Sequence, residues 1–185
     1  MSDESMPEIP LAPAGPLIRT DVLDVYIFRR VGTHQEVEIL QLLRASEPLF
    51  ETWQPVMGHI EPGETATEGM WRELGEETGL TIASARLFGA WALEGVHPYL
   101  IVRLDTIFMS PRFAVEVDPE WTPVLCAGHS EWRWVALAEI DEHFMWPGQL
   151  ASIRELVGRV LVPGSLCEPL QRLWLRPDAV SLRRT

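Results

Sequence analysis

The chain has 185 residues, a formal net charge of −12, 46% hydrophobic residues and eight tryptophans. That length suffices for one well-buried domain, and that much apolar and aromatic material excludes an intrinsically disordered chain. The acidic balance excludes sequence-independent attachment to nucleic acid, which needs a basic face.

In chain order, residues 1–16 carry Pro7, Pro10, Pro13 and Pro16 and read as an N-terminal arm. The arm is acidic and lacks a basic stretch followed by an apolar run, so no signal peptide is expected. No apolar run anywhere approaches the ~20 residues of a membrane-spanning helix. Residues 21–28 and 37–43 are predicted to be paired strands around a turn at Gly32. A short strand over 52–57 leads into a helix over 65–78. Thr65 and Glu68 have the spacing of a capping box, and Gly79 is the expected left-handed stop. Strands are predicted at 87–93 and 99–108, with a turn at 95–98, and again at 113–117. Residues 131–135 alternate Trp132 and Trp134 with polar residues, a further strand. Helices are predicted over 136–144 and 149–160, and the remainder from Pro163 reads as irregular. The mixture predicts a mixed sheet between helices, with an arm (1–16), one domain (17–162) and a C-terminal extension (163–185). Cys126 and Cys167 have no metal-ligand spacing and fit a reducing cytoplasm.

Residues 58–80 read G-H-I-E-P-G-E-T-A-T-E-G-M-W-R-E-L-G-E-E-T-G-L. Glu73, Glu76 and Glu77 fall at i, i+3 and i+4, so one helix face carries three carboxylates. Like charges at that spacing repel, and a divalent cation relieves them, since carboxylate oxygens are preferred ligands of Mg²⁺ and Mn²⁺. Arg72 has Glu68 at i−4 and Glu76 at i+4 as ion-pair partners. Pro62 and Gly63 make a turn, and Gly58 leaves room for close approach of the loop backbone.

With Gly58, Glu64, Arg72, Glu73, Leu74, Glu76, Glu77, Gly79 and Leu80 all at fixed spacing, the segment resembles the signature of the Nudix hydrolases. The resemblance covers about residues 20–160 and implies an α/β/α sandwich built on a mixed sheet. It also implies a hydrolase of diphosphates linked to another group, dependent on Mg²⁺ or Mn²⁺. The implied metal ligands are Glu73, Glu76 and Glu77, with Glu64 nearby; Glu73, Glu76 and Arg72 are the expected catalytic residues. Arg44, Trp53 and Gly58 are the expected substrate contacts, and Arg29 and Arg30 are alternative phosphate contacts. Residues 128–135 resemble a run of nucleotide-hydrolysing relatives, which usually carry Glu directly before the His; this chain has Gly128 before His129. Glu131, Glu116, Asp118 and Glu120 are the candidate substitutes. The expected reaction is cleavage of a nucleoside triphosphate to monophosphate and pyrophosphate. The alternatives are a nucleotide-sugar, dinucleotide or coenzyme pyrophosphatase, or a binding module with weak catalysis. The expected partner is a small-molecule nucleotide or phosphorylated metabolite, with no nucleic acid and no membrane; a homodimer is left open.

Overall fold

The structure, a computed structural model, describes residues 15–47 and 49–173. Most of the expected arm and the end of the expected extension lie outside the described residues. Its centre is a seven-stranded mixed sheet of β2 (Val22–Val31), β3 (Glu36–Arg44), β4 (Trp53–Gln54), β5 (Val56–His59), β6 (Leu87–Leu93), β9 (Arg112–Val117) and β10 (His129–Ala136). The strand order is β10-β3-β2-β9-β6, with β4 paired to β3 and β5 to β2. β2 runs parallel to β9 and antiparallel to both β3 and β5. A separate three-stranded sheet joins β1 (Leu17–Arg19), β8 (Thr106–Phe108) and β7 (Tyr99–Ile101).

The alternation of β2 explains the layers. Leu23, Val25 and Ile27 point to one face, where they pack with Leu40, Leu42 and with Met70 and Leu74 of α1 (Ala66–Thr78). Tyr26 and Phe28 point to the other face, against Ile153 of α3 (Pro147–Glu155) and Leu156 and Val160 of its π-helical continuation. Both faces of the central strand are therefore buried, the two cores of an α/β/α sandwich. Each large apolar side chain removed from water contributes about 1.5–3 kcal/mol.

Several boundaries differ from those predicted. Residues 99–108 do not form one strand: a 3₁₀ turn at Val102–Leu104 and Asp105, at φ 44°, fold the segment into the β7–β8 hairpin. Asp tolerates the left-handed region, so the turn forms without the Gly or Pro that would have marked it. The strand predicted over 52–57 breaks at Pro55, which cannot donate to a ladder. The helix predicted over 136–144 is a 3₁₀ turn, Leu137–Glu139, followed by α2 (Ile140–His143). α3 starts earlier than predicted, with Pro147 in its first turn, where a missing N–H costs nothing. Past Pro163 the chain is not wholly irregular: α4 (Glu168–Gln171) forms, and Arg172 and Leu173 lie along β6, Leu173 N–H donating to Ala90 O at 2.8 Å. β1 carried no sequence signal strong enough to be predicted.

Candidate active site

α1 is held at both ends. Thr65 Oγ1 accepts from Glu68 N–H at 3.2 Å, and Thr65 N–H donates to Glu68 Oε2 at 2.8 Å, completing the predicted capping box. Gly79 at φ 71° closes the helix by donating to Gly75 O at 3.1 Å. Met70 and Leu74 bury one stripe of α1 in the core, which turns Glu73 and Glu77 toward the sheet and leaves Glu76 exposed.

Arg72 is the hub of the site. Its Nε and Nη2 donate to the two oxygens of Glu64 at 2.8 and 3.0 Å, a bidentate pair. Nη2 also donates to His59 O at 2.6 Å, and Nη1 donates to Glu73 Oε1 at 2.9 Å and Glu76 Oε2 at 3.3 Å. Glu68, occupied by the cap, is not one of its partners. The guanidinium thus ties the signature loop to the helix. It also holds the Glu64 carboxyl below its ordinary range, with help from the Glu61 amide. Glu73 Oε1 accepts from His59 N–H at 3.1 Å, and a Cβ on Gly58 would overlap the Glu73 carboxyl. That overlap gives Gly58 its physical reason: only a bare backbone fits against Glu73.

Glu77 is in a different state. It is 9% exposed, and its Oε2 has no hydrogen-bond partner among the described residues. Burial, and then the neighbouring Glu73 charge, push its carboxyl up to about 8, against the opposing pull of Arg44. An orphaned buried oxygen beside a second carboxylate calls for a cation. The donor set of Glu64, Glu73, Glu76 and Glu77 is all oxygen and suits Mg²⁺ or Mn²⁺. As they stand, no three acidic, His or Cys side chains among the described residues are spaced to hold one metal ion; Arg72 sits among Glu64, Glu73 and Glu76.

Arg44 ends β3 and donates through Nε to Ser46 O at 3.2 Å. Its charge acts on both Glu77 and His129, its partner in the β10 register. His129 is buried, its Nε2 lacks a partner among the described residues, and its Nδ1 lies 3.7 Å from Cys126 Sγ. Burial, then Arg44, lowers its basicity. The loop carrying Cys126 crosses the end of α1, with Val124 N–H donating to Thr78 O at 2.9 Å.

Trp53 lies apart from this group. It pairs with Leu43, and the Arg133 guanidinium stacks 4.1 Å over its ring. Arg133 also donates to Gln41 Oε1, and Gln41 donates to His143 O, at the end of α2. Trp53 therefore faces the α2 side of the sheet, and the three helix carboxylates face the α1 side. Trp132 stands on the α1 side beside Leu42 and is partly exposed. Trp134, next along that face, is covered by Arg29 at 4.3 Å and meets Trp121 edge-on.

Four of the other candidates are engaged in ion pairs, and Glu120 and Glu131 are exposed. Arg29 pairs with Glu38, Arg30 with Glu116 at 2.9 Å, and Asp118 with Arg86 at 2.8 Å. Glu131 is exposed opposite Leu43. Sequence reasoning missed the backbone at His59 and Glu61 as partners of the signature carboxylates, and the Cys126–His129 contact. Backbone partners leave no trace in residue types, whereas the C-x-x-H spacing was visible.

The NUDIX domain profile matches residues 21–156. An octanoyltransferase of Myxococcus xanthus is 32% identical over 131 residues, covering 69% of this chain and 33% of that protein. An RNA pyrophosphohydrolase of Legionella pneumophila is 25% identical over 147 residues, covering 65% of this chain and 79% of that protein. The chain thus spans a third of the length of one curated relative and most of another. Among solved structures, a C. elegans Ap4A hydrolase binary complex superposes with a TM-score of 0.61 at 19% identity, over 76% of this chain and 96% of that one. That likeness concerns the fold.

Proposed function

The chain belongs to the Nudix hydrolase family, and on that premise we propose that it is a pyrophosphohydrolase of a nucleoside diphosphate-linked compound. The substrate we assign is a nucleoside triphosphate, cleaved to monophosphate and pyrophosphate. The observation that carries this reading is Glu77, a buried carboxylate with an unpartnered oxygen beside Glu73, on the helix face that also bears Glu76. Glu73, Glu76 and Glu77, with Glu64 nearby, would hold Mg²⁺ or Mn²⁺. Bound there, the ion would supply charge neutralisation at the diphosphate and would acidify a water. Glu76, the most exposed of the three and held only by the 3.3 Å contact from Arg72 Nη1, is the carboxylate we assign as general base. Arg72, fixed by Glu64 and His59 O, keeps Glu73 in one rotamer. Arg44, on the same side as Glu77 and without an ion-pair partner among the described residues, is assigned to a substrate phosphate; Gly58 admits the loop backbone to the same place. Trp132 is the exposed ring on that face, and stacking on it would tolerate several bases. A contact by Trp53 would need the substrate to reach round the sheet edge.

Support from relatives is of the same kind: the Legionella protein is named for pyrophosphate hydrolysis on RNA. No helix among the described residues is long and apolar enough to cross a membrane; a cytoplasmic location rests on the two free cysteines. A second reading, a binding module with weak catalysis, draws on Gly128 and on the engagement of Glu116 and Asp118 in ion pairs.

The test is a panel of nucleoside triphosphates and ADP-ribose with Mg²⁺ or Mn²⁺, products identified by mass. A triphosphate offers more chelating oxygens than a diphosphate, so monophosphate and pyrophosphate should appear faster than any product of ADP-ribose. Turnover that survives complete chelation, or faster cleavage of ADP-ribose, overturns the assignment. Binding of nucleotides without release of pyrophosphate identifies the binding module.

A further inference from the structure

The small sheet has one finished side and one bare side. On the finished side Arg19 lies 5.4 Å over Phe108, and Phe108 stacks on Tyr99 at 5.4 Å. On the other side the register sets Ile18, Ile107 and Leu100 abreast across β1, β8 and β7. Ile18 is 66% exposed and Leu100 51%, and Val102 and Leu104 extend the apolar surface at the hairpin tip. The outer edges of β1 and β7 have no strand partner among the described residues. Exposed apolar surface of this extent, next to open strand edges, marks an interaction site.

We propose that this face is a homodimer interface, with a second copy of the chain packing its own Ile18–Ile107–Leu100 row across a twofold axis. Charge argues for that occupant. Two copies at −12 each repel wherever acidic surfaces meet. The row itself has no charged side chain, so its burial desolvates none. At the hairpin tip one cation, Arg103, and one anion, Asp105, stand two residues apart, a self-complementary pair under twofold symmetry. Area argues the same way. The exposed apolar side chains at Ile18, Leu100, Val102, Leu104 and Met109 present on the order of 500 Å², which a polar rim brings toward the ~800 Å² per partner of a standard interface. The segment 1–14 carries Met6, Ile9 and Leu11 but also Asp3, Glu4 and Glu8 and no Lys or Arg, so seating its whole length on the row would desolvate three carboxylates that no cation of its own offsets.

The experiment is the mass of the full chain by light scattering at about 100 µM, where a modest interface is populated. The expected mass is twice the 21.0 kDa of one chain. The double variant Ile18→Lys with Leu100→Lys should run as a monomer. The double variant Leu166→Lys with Leu170→Lys, at two residues each 86% exposed elsewhere, should remain a dimer. A monomeric wild type, a dimer that survives the first pair, or equal loss with both pairs overturns the proposal. Amide exchange of wild type over 99–108 needs no variant: it should slow as concentration rises from about 1 to about 100 µM. Protection there that ignores concentration assigns the face to the chain's own N-terminal segment and overturns the dimer. Monomers that sediment with anionic vesicles overturn it in favour of a membrane surface.

Discussion

Gly58 has no space for a methyl group, and that is a prediction about rate. A Cβ there would meet the Glu73 carboxyl, so Gly58→Ala must move either the signature loop or Glu73. Displacing a catalytic group by about 1 Å commonly costs a factor of about 10², and kcat should fall by that order while the melting temperature changes little. An unchanged kcat would mean that Glu73 does not work from where it stands. Glu77 offers a sharper comparison. Glu77→Gln should lower turnover by a factor of about 10² or more, as loss of a metal ligand does, whereas Glu131→Gln, at an exposed position opposite Leu43, should stay within a few-fold. Glu77→Gln should also melt higher than wild type in chelator above about pH 8, where wild type buries an unpartnered charge that the amide lacks. It should gain less than wild type from added Mg²⁺. If Glu131→Gln is the more damaging variant, the base lies in β10 and not on α1.

At the scale of elements, α1 was legible to the residue. Thr65, Glu68 and Gly79 act where their types said they would, because capping is local chemistry. Thr65→Ala should therefore cost about 1 kcal/mol of unfolding free energy, read by denaturant titration; a change near zero would show the helix held by tertiary packing alone. The β2–β3 pairing around Gly32 was legible for the same reason, since the alternation and the turn glycine are both local. What stayed hidden was non-local or weakly marked. The hairpin at 99–108 turns on Asp105 within an apolar run. The assignment of Trp53 to the α2 side depends on strand parity across the break at Pro55, and on an Arg133 partner 80 residues downstream. Most of the site residues were named by the signature, but Arg72's grip on Glu64 and His59 O depends on how the loop folds back, which spacing does not encode.

At the scale of the molecule, stability should depend on pH through His129. Burial and Arg44 hold its folded-state basicity below that of the unfolded chain, whose imidazole titrates near about 6.5. Below that pH the unfolded state binds a proton that the folded state refuses, so this contribution is intact above about 6.5 and is lost as pH falls. Glu77 works in the opposite direction: its carboxyl is raised to about 8, so the folded state holds its proton more tightly and gains as pH falls through that value. The two are separated by comparing wild type with His129→Gln between about pH 7.5 and 5.5. The variant should lose less stability on acidification, and identical slopes would remove His129 from the balance.

The parallel pairing of β2 with β9 has a consequence for how the chain is made. It joins residues 24–28 to residues 112–116. β2 emerges early in synthesis with apolar side chains on both faces, Leu23, Val25 and Ile27 on one and Tyr26 and Phe28 on the other. Only β3 and β5 follow soon enough to cover an edge; the strand that closes its other edge, and α3 that covers its second face, leave the ribosome much later. At roughly 5–20 residues per second, the nascent chain therefore spends several seconds with this strand half-clothed. Long-range parallel closure is also slow in itself. During translation this protein is a natural client for a chaperone that shields extended apolar segments, although its finished surface is strongly acidic.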